Sequence, residues 1–158
     1  MKKSIFALIL SFQATVFQVV AEENPWLTDY DEAVTQSIAT DKPIFLLFTN
    51  SHSCGPCILL EKQILSTPDF VEFARTEIIP LKVDFAPIYR NKDIPSSDEN
   101  LLAFRREQNI PDHLTYRGWP YLVLFRPTQP AIFDDTLREF SDFDALVNGI
   151  GLGTGNSA

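Results

Sequence analysis

Residues Ile44 to Ser66 read IFLLFTNSHSCGPCILLEKQILS. Ile44–Thr49 is a short, unbroken apolar run of β-compatible residues that follows the chain-breaking Asp41-Lys42-Pro43. Such a run suits a central strand buried on both faces. Ser51–Pro56 is a turn that carries two cysteines. Cys57–Ser66 interleaves Ile58, Leu59, Ile64 and Leu65 with Glu61, Lys62 and Gln63, the pattern of an amphipathic helix. A buried strand thus runs straight into a helix through a turn holding Cys54-Gly55-Pro56-Cys57.

That junction gives the cysteines their chemistry. At a helix N-terminus, unsatisfied N–H groups and the helix dipole favour an anion. A thiolate there has a lowered pKa, and the thiolate is the nucleophilic form. Two intervening residues allow the second sulfur to reach the first, so the pair can open and close. Pro56 has no N–H to lose in the first helical turn and presets φ, while Gly55 completes the turn. Cys54 is expected to be the exposed, attacking thiol and Cys57, one turn in, the buried, resolving one. Two other readings stand beside this. Half of a zinc site is disfavoured, because only two Cys and two His exist in the chain. A purely structural disulfide gains little from closing so short a loop.

Working outward, Trp26–Thr40 places Leu27, Tyr30, Val34 and Ile38 near helical spacing, with Thr28 as an N-cap. Asp69–Arg75 reads as a helix after Thr67-Pro68, and Ile78–Phe85 as a strand with Pro80 an irregularity. Ala86–Ser97 reads as a loop. Asp98–Gln108 is a helix with acids at its start and Arg105-Arg106 at a solvated end. Asn109–Gly118 is a second loop, Pro120–Arg126 a strand, and Ala131–Phe133 a hairpin partner. Ser141 caps a last helix, Asp142–Ile150. Alternating strands and helices predict an α/β fold, a central mixed β-sheet flanked by helices on both faces.

The first segment, Met1–Ala21, has Lys2 and Lys3 before a mostly apolar stretch and small side chains at Val19-Val20-Ala21. It reads as a secretory signal peptide cleaved after Ala21. An uncleaved anchor is the competing reading, although the run is short for a membrane span of about 20 residues. Residues 22–150 then form the domain, and 151–158 a flexible tail.

The whole chain has 158 residues, 45% hydrophobic and 22% charged, with 13 Phe. That is one globular domain with ample core, not a disordered chain. It carries 13 Lys+Arg against 21 Asp+Glu, a net charge of −8. Loss of Lys2 and Lys3 with the signal would leave 11 basic residues and a net of −10. No basic footprint for nucleic acid is present.

These residues resemble the thioredoxin superfamily, and the resemblance covers roughly Trp26–Ile150. Phe45–Leu60 is similar to the strand, motif and helix of that active site. Gly118-Trp119-Pro120-Tyr121-Leu122-Val123-Leu124-Phe125 is similar to the later strand that opens with a cis-proline. The lead-in FTNSHSC is similar to a secreted branch of the superfamily. The resemblance implies that Cys54 attacks a substrate disulfide, that Cys57 resolves the mixed disulfide, and that Pro120 is cis with the Trp119 backbone offered to the substrate chain. Outside the family a trans, strand-initiating Pro120 would be the simpler reading.

The chain also departs from the family. Ser53 stands where Trp usually precedes the first Cys. Phe48 aligns with the buried Asp that handles the second thiol's proton, and Pro80 lies near the place of the accompanying Lys. Asp84 reads as a capping acid rather than a substitute. His52, as an imidazolium, is a candidate thiolate modulator, against the plainer reading of an exposed loop histidine. Tyr89, His113, Tyr116 and Trp119 either line a substrate surface or pack down on the sheet, and Trp26 reads as a core anchor.

The resemblance thus implies an exported, periplasmic thiol–disulfide oxidoreductase acting on protein thiols and disulfides. Gly-Pro between the cysteines is closer to reducing members than to strong oxidants, so a membrane thiol reductant is the implied donor. A disulfide oxidase or isomerase is the alternative within enzymes, and a non-catalytic binding module the alternative outside them. No cofactor and no metal are expected, since two sulfurs suffice, and a monomer is the default because no exposed apolar seam stands out.

Overall fold

A computed structural model describes residues 24–91, 93, 97–114, 117–137 and 140–153. The expected signal peptide, the end of the expected tail and Tyr116 lie outside the described residues.

Four strands form one sheet in the order β2-β1-β3-β4. They are β1 (Ile44–Thr49), β2 (Ile79–Asp84), β3 (Tyr121–Phe125) and β4 (Phe133–Thr136). β2 runs parallel to β1, while β3 is antiparallel to both β1 and β4. All six residues of β1 are buried, as an unbroken apolar run on a central strand requires.

Strand alternation divides the core into two layers. Ile44, Leu46 and Phe48 of β1, with Tyr121, Val123 and Phe125 of β3, face α1 (Tyr30–Thr40), α4 (Ala86–Arg90) and α5 (Asp98–Glu107). Phe45, Leu47, Leu122 and Leu124 face α2 (Gly55–Leu60), α3 (Pro68–Thr76) and α6 (Phe143–Gly149). An aromatic cluster anchors this second layer: Phe70 lies 5.8 Å from Trp26 and 5.7 Å from Phe45, ring centre to ring centre. Trp26 is therefore a core anchor, as its sequence position suggests. Leu27 adds a single parallel bridge to Leu81 on the outer edge of β2.

Several boundaries differ from the sequence reading, each for a local reason. The first helix starts at Tyr30, because the carboxylate of Asp29, not Thr28, accepts the N–H of Glu32 at 2.8 Å. Its buried positions are Ala33 and Ser37, while Ile38 is 70% exposed, so the expected stripe is rotated. Asp142 rather than Ser141 caps α6, and donation from the Ala145 N–H and the Ser141 hydroxyl holds its carboxyl below the usual range. The expected loop after β2 begins as helix α4, with Pro87 in its first turn. Leu152, assigned to the tail, packs against the second core layer.

Arg105 is the largest local departure. It reads as a solvated helix end, yet it is 3% exposed. Its Nη2 donates to the carbonyls of Pro111 and Leu114 at 3.0 and 2.6 Å, tying the loop after α5 to the core. Its neighbour Arg106 is the exposed one, paired with Asp112 at 3.0 Å.

Tyr121 carries a pH signature. Burial first, and its hydrogen bond with Asp134 second, push its phenol up from 10.0 to about 12. A folded pKa above the unfolded one means this contribution is complete below pH 10.0 and is lost as pH climbs towards about 12. Chemical denaturation across that window is expected to show stability falling, and Tyr121→Phe to flatten the fall. An equally steep fall in the variant would assign it to other groups.

Candidate active site

The site is assembled where β1 ends. The backbone turns at Asn50, whose buried side chain organises the approach to the cysteines. Its Oδ1 accepts the N–H groups of His52 and Ser53 at 3.1 and 3.3 Å, and its Nδ2 donates to Ser53 Oγ at 2.9 Å. Its carbonyl accepts the Cys54 N–H at 3.2 Å. An Asn able to bridge its own turn in this way is an Asx motif. The letters NSHS already held that signal, which the sequence reading passed over.

Cys54 is the N-cap of α2, and its Sγ accepts the Cys57 N–H at 3.2 Å. Pro56 lies in the first turn, where no donor is lost. The two cysteines are joined as a disulfide with their Cα atoms 5.2 Å apart. Cys54 is half-buried while Cys57 is 2% exposed. This asymmetry is what the positions in the turn and helix suggest. The pair is a two-electron redox couple, and in the reduced state the same N–H would face a thiolate on Cys54.

The peptide bond between Trp119 and Pro120 is cis. The β1–β3 register pairs Phe48 with Tyr121, which sets this bond at the same sheet end as the Asn50–Cys54 turn. Gly118 precedes it at φ 130°, a conformation that a side chain would disfavour. The Trp119 ring is half-buried against Phe85 at 5.6 Å and edge-on to Tyr89 at 5.2 Å. Trp119 and Tyr89 thus pack together beside the sheet. His113 is not with them: it lines a separate depression with Tyr30, Phe125 and Arg126, at the other end of β1.

His52 is exposed in the turn and anchored through its backbone. Asp84 is a capping acid, as read: it accepts the Ser51 N–H and hydroxyl at 3.0 and 2.6 Å and the Ala86 N–H at 2.9 Å. Phe48 is fully buried at the position expected to lack an acid. Ile58 and Leu59, expected to face the core, are 46% and 54% exposed. The helix is turned so that Cys57, Leu60 and Ile64 face inward, leaving an apolar patch beside the disulfide.

The helix does not continue regularly after Leu60, because Glu61–Leu65 forms a π-helical turn. Glu61 reaches Lys82 of β2 at 2.9 Å, and the Lys82 ammonium sits 4.3 Å above the Trp26 ring. Neither residue was singled out from the sequence, where both read as ordinary polar positions. Among the described residues, no group of three or more His, Cys, Asp or Glu is arranged to hold a metal ion.

A profile described as thioredoxin-like matches residues 25–127. The chain belongs to the thioredoxin-like family. Within that family, the chain is 38% identical over 66 residues to the disulfide bond reductase DsbH of Chlamydia pneumoniae, across 42% of this chain and 40% of that one. It is 24% identical over 87 residues to the thioredoxin-related protein DsbJ of the same organism, across 52% of this chain and 25% of that one. The thioredoxin-like chain therefore spans well under half the length of these curated relatives. The solved structure of a DsbH oxidoreductase superposes with a TM-score of 0.60 at 26% identity, covering 79% of this chain and 80% of that one.

Proposed function

We propose that this thioredoxin-like domain is a thiol–disulfide oxidoreductase that works as a reductase on protein disulfides. The observation that carries the reading is the Cys54–Cys57 disulfide at the mouth of α2, with Cys57 buried and its N–H aimed at Cys54 Sγ. Cys54 is placed to attack, and Cys57 to close the ring and release the reduced substrate. The pair itself is the redox group, so no further cofactor is invoked. The exposed Ile58 and the backbone around Trp119 and Pro120 are the surfaces for an extended substrate chain. Similarity to a relative named disulfide bond reductase supports the direction.

The reading of residues 1–21 as an export signal places the domain in an oxidising compartment, where a thiol reductant in the membrane would recharge the pair. Among the described residues no helix is long and apolar enough to cross a membrane. The test is the reduction potential of Cys54/Cys57, read by equilibration with dithiothreitol or glutathione buffers. A reductase is expected near the thioredoxin value of about −270 mV. A value of about −180 to −120 mV would instead assign an isomerase or oxidase.

A further inference from the structure

Cys57 has a problem that Cys54 does not. To resolve a mixed disulfide it must give up its proton while 2% exposed. A cavity of about 570 Å³ reaches it from the flank of α2, lined by Cys57 together with Thr49, Glu61, Lys62, Lys82 and Asp84. Glu61 lies one helical turn beyond Cys57, its N–H bonded to the Cys57 carbonyl, and residues so spaced share a helix face. Lys82 approaches from β2 on the same side of the sheet and holds Glu61 Oε2 at 2.9 Å, while Ser66 Oγ donates to Oε1 at 3.4 Å.

The other charged groups facing this space are less suited. Asp84 accepts three bonds at 3.0, 2.6 and 2.9 Å from Ser51 and Ala86, whereas Glu61 Oε1 meets only the long 3.4 Å contact from Ser66. Lys62 and Lys82 are cations, and a cation has no lone pair for a proton. We infer that Glu61 is the proton acceptor for Cys57 across this cavity, and that Lys82, steadied over Trp26, is the residue that positions Glu61. The inference rests on the oxidoreductase reading above.

In the resolving step the Cys57 thiol yields its proton to the Glu61 carboxylate through the cavity. Its sulfur attacks Cys54 Sγ, the Cys54–Cys57 bond forms, and the bond from Cys54 to the substrate sulfur breaks. The substrate sulfur leaves with the electron pair and takes a proton from solvent. Glu61 then returns its proton to solvent through the cavity mouth, where its side chain is 42% exposed. Two electrons pass from the dithiol to the substrate disulfide.

The probe is dithionitrobenzoate added to the fully reduced chain. Attack by Cys54 releases a first thionitrobenzoate, and resolution by Cys57 releases a second. Glu61→Gln is expected to slow the second release by about tenfold or more at neutral pH and to remove the carboxylate limb from its pH profile. Glu61→Asp should restore part of both. Circular dichroism checks that each variant is folded before the trace is read, since a thiol of an unfolded chain also reacts with the probe. A second release as fast in Glu61→Gln as in the native chain, with the same pH profile, overturns the inference alone. A native chain with no second release at all overturns the oxidoreductase reading, and this inference with it.

Discussion

Cys57→Ser is expected to trap the substrate: challenged with a disulfide-bonded protein, the reduced variant accumulates a stable one-to-one mixed disulfide through Cys54. Cys54→Ser is expected to form no such adduct and to lose turnover to background. The difference follows from the site's asymmetry, since Cys54 is half-buried at the helix cap and Cys57 is 2% exposed behind it. A thiolate is the attacking species, so access and stabilisation of the anion decide which sulfur reacts first. Mass spectrometry under non-reducing conditions reads the result. Adducts on Cys57 would reverse the assignment, and adducts on neither cysteine would favour a binding module with an inert disulfide.

Phe70→Ala is expected to have the largest effect on the fold. Phe70 is fully buried, and besides Trp26 and Phe45 it meets Phe73 at 6.2 Å and Phe143 at 6.5 Å. One side chain thus joins the N-terminal segment, β1, α3 and α6. Truncating a buried Phe costs about 3–5 kcal/mol, a large share of the roughly 5–15 kcal/mol that holds a domain together. The midpoint of thermal unfolding should fall by about 10–20 °C, with Phe70→Leu falling much less. A loss below about 1 kcal/mol would mean that the neighbouring rings close the gap, against the usual incomplete collapse around such cavities.

The fold was legible because its deciding elements are strongly patterned. Ile44–Thr49 has no polar interruption and became the buried central strand. The cysteine turn, the helix after it and the strand opening at Tyr121 followed from short, distinctive strings. The less legible parts depend on tertiary neighbours. Arg105 and Arg106 are adjacent letters, yet the loop from Pro111 to Leu114 folds back over only one of them. Ile58 and Ile64 are equally apolar, and only the rotation of α2 imposed by Cys57 and Leu60 separates exposed from buried. Glu61 and Lys82 lie far apart in sequence and gain meaning only because strand alternation points Lys82 to the α2 side. At the site, the cysteines and the Asn50 turn are visible in the letters, while the charged pair behind Cys57 emerges from the folded chain.

The loop held by Arg105 has one more property. Thiol exchange depends on pH, and a loop anchored through a titrating side chain would loosen or tighten as that group gains or loses its proton. A guanidinium keeps its charge throughout. The guanidinium hold on the Pro111–Leu114 segment is therefore blind to acidity, while the exposed Arg106–Asp112 pair on the same segment weakens once Asp112 takes up a proton.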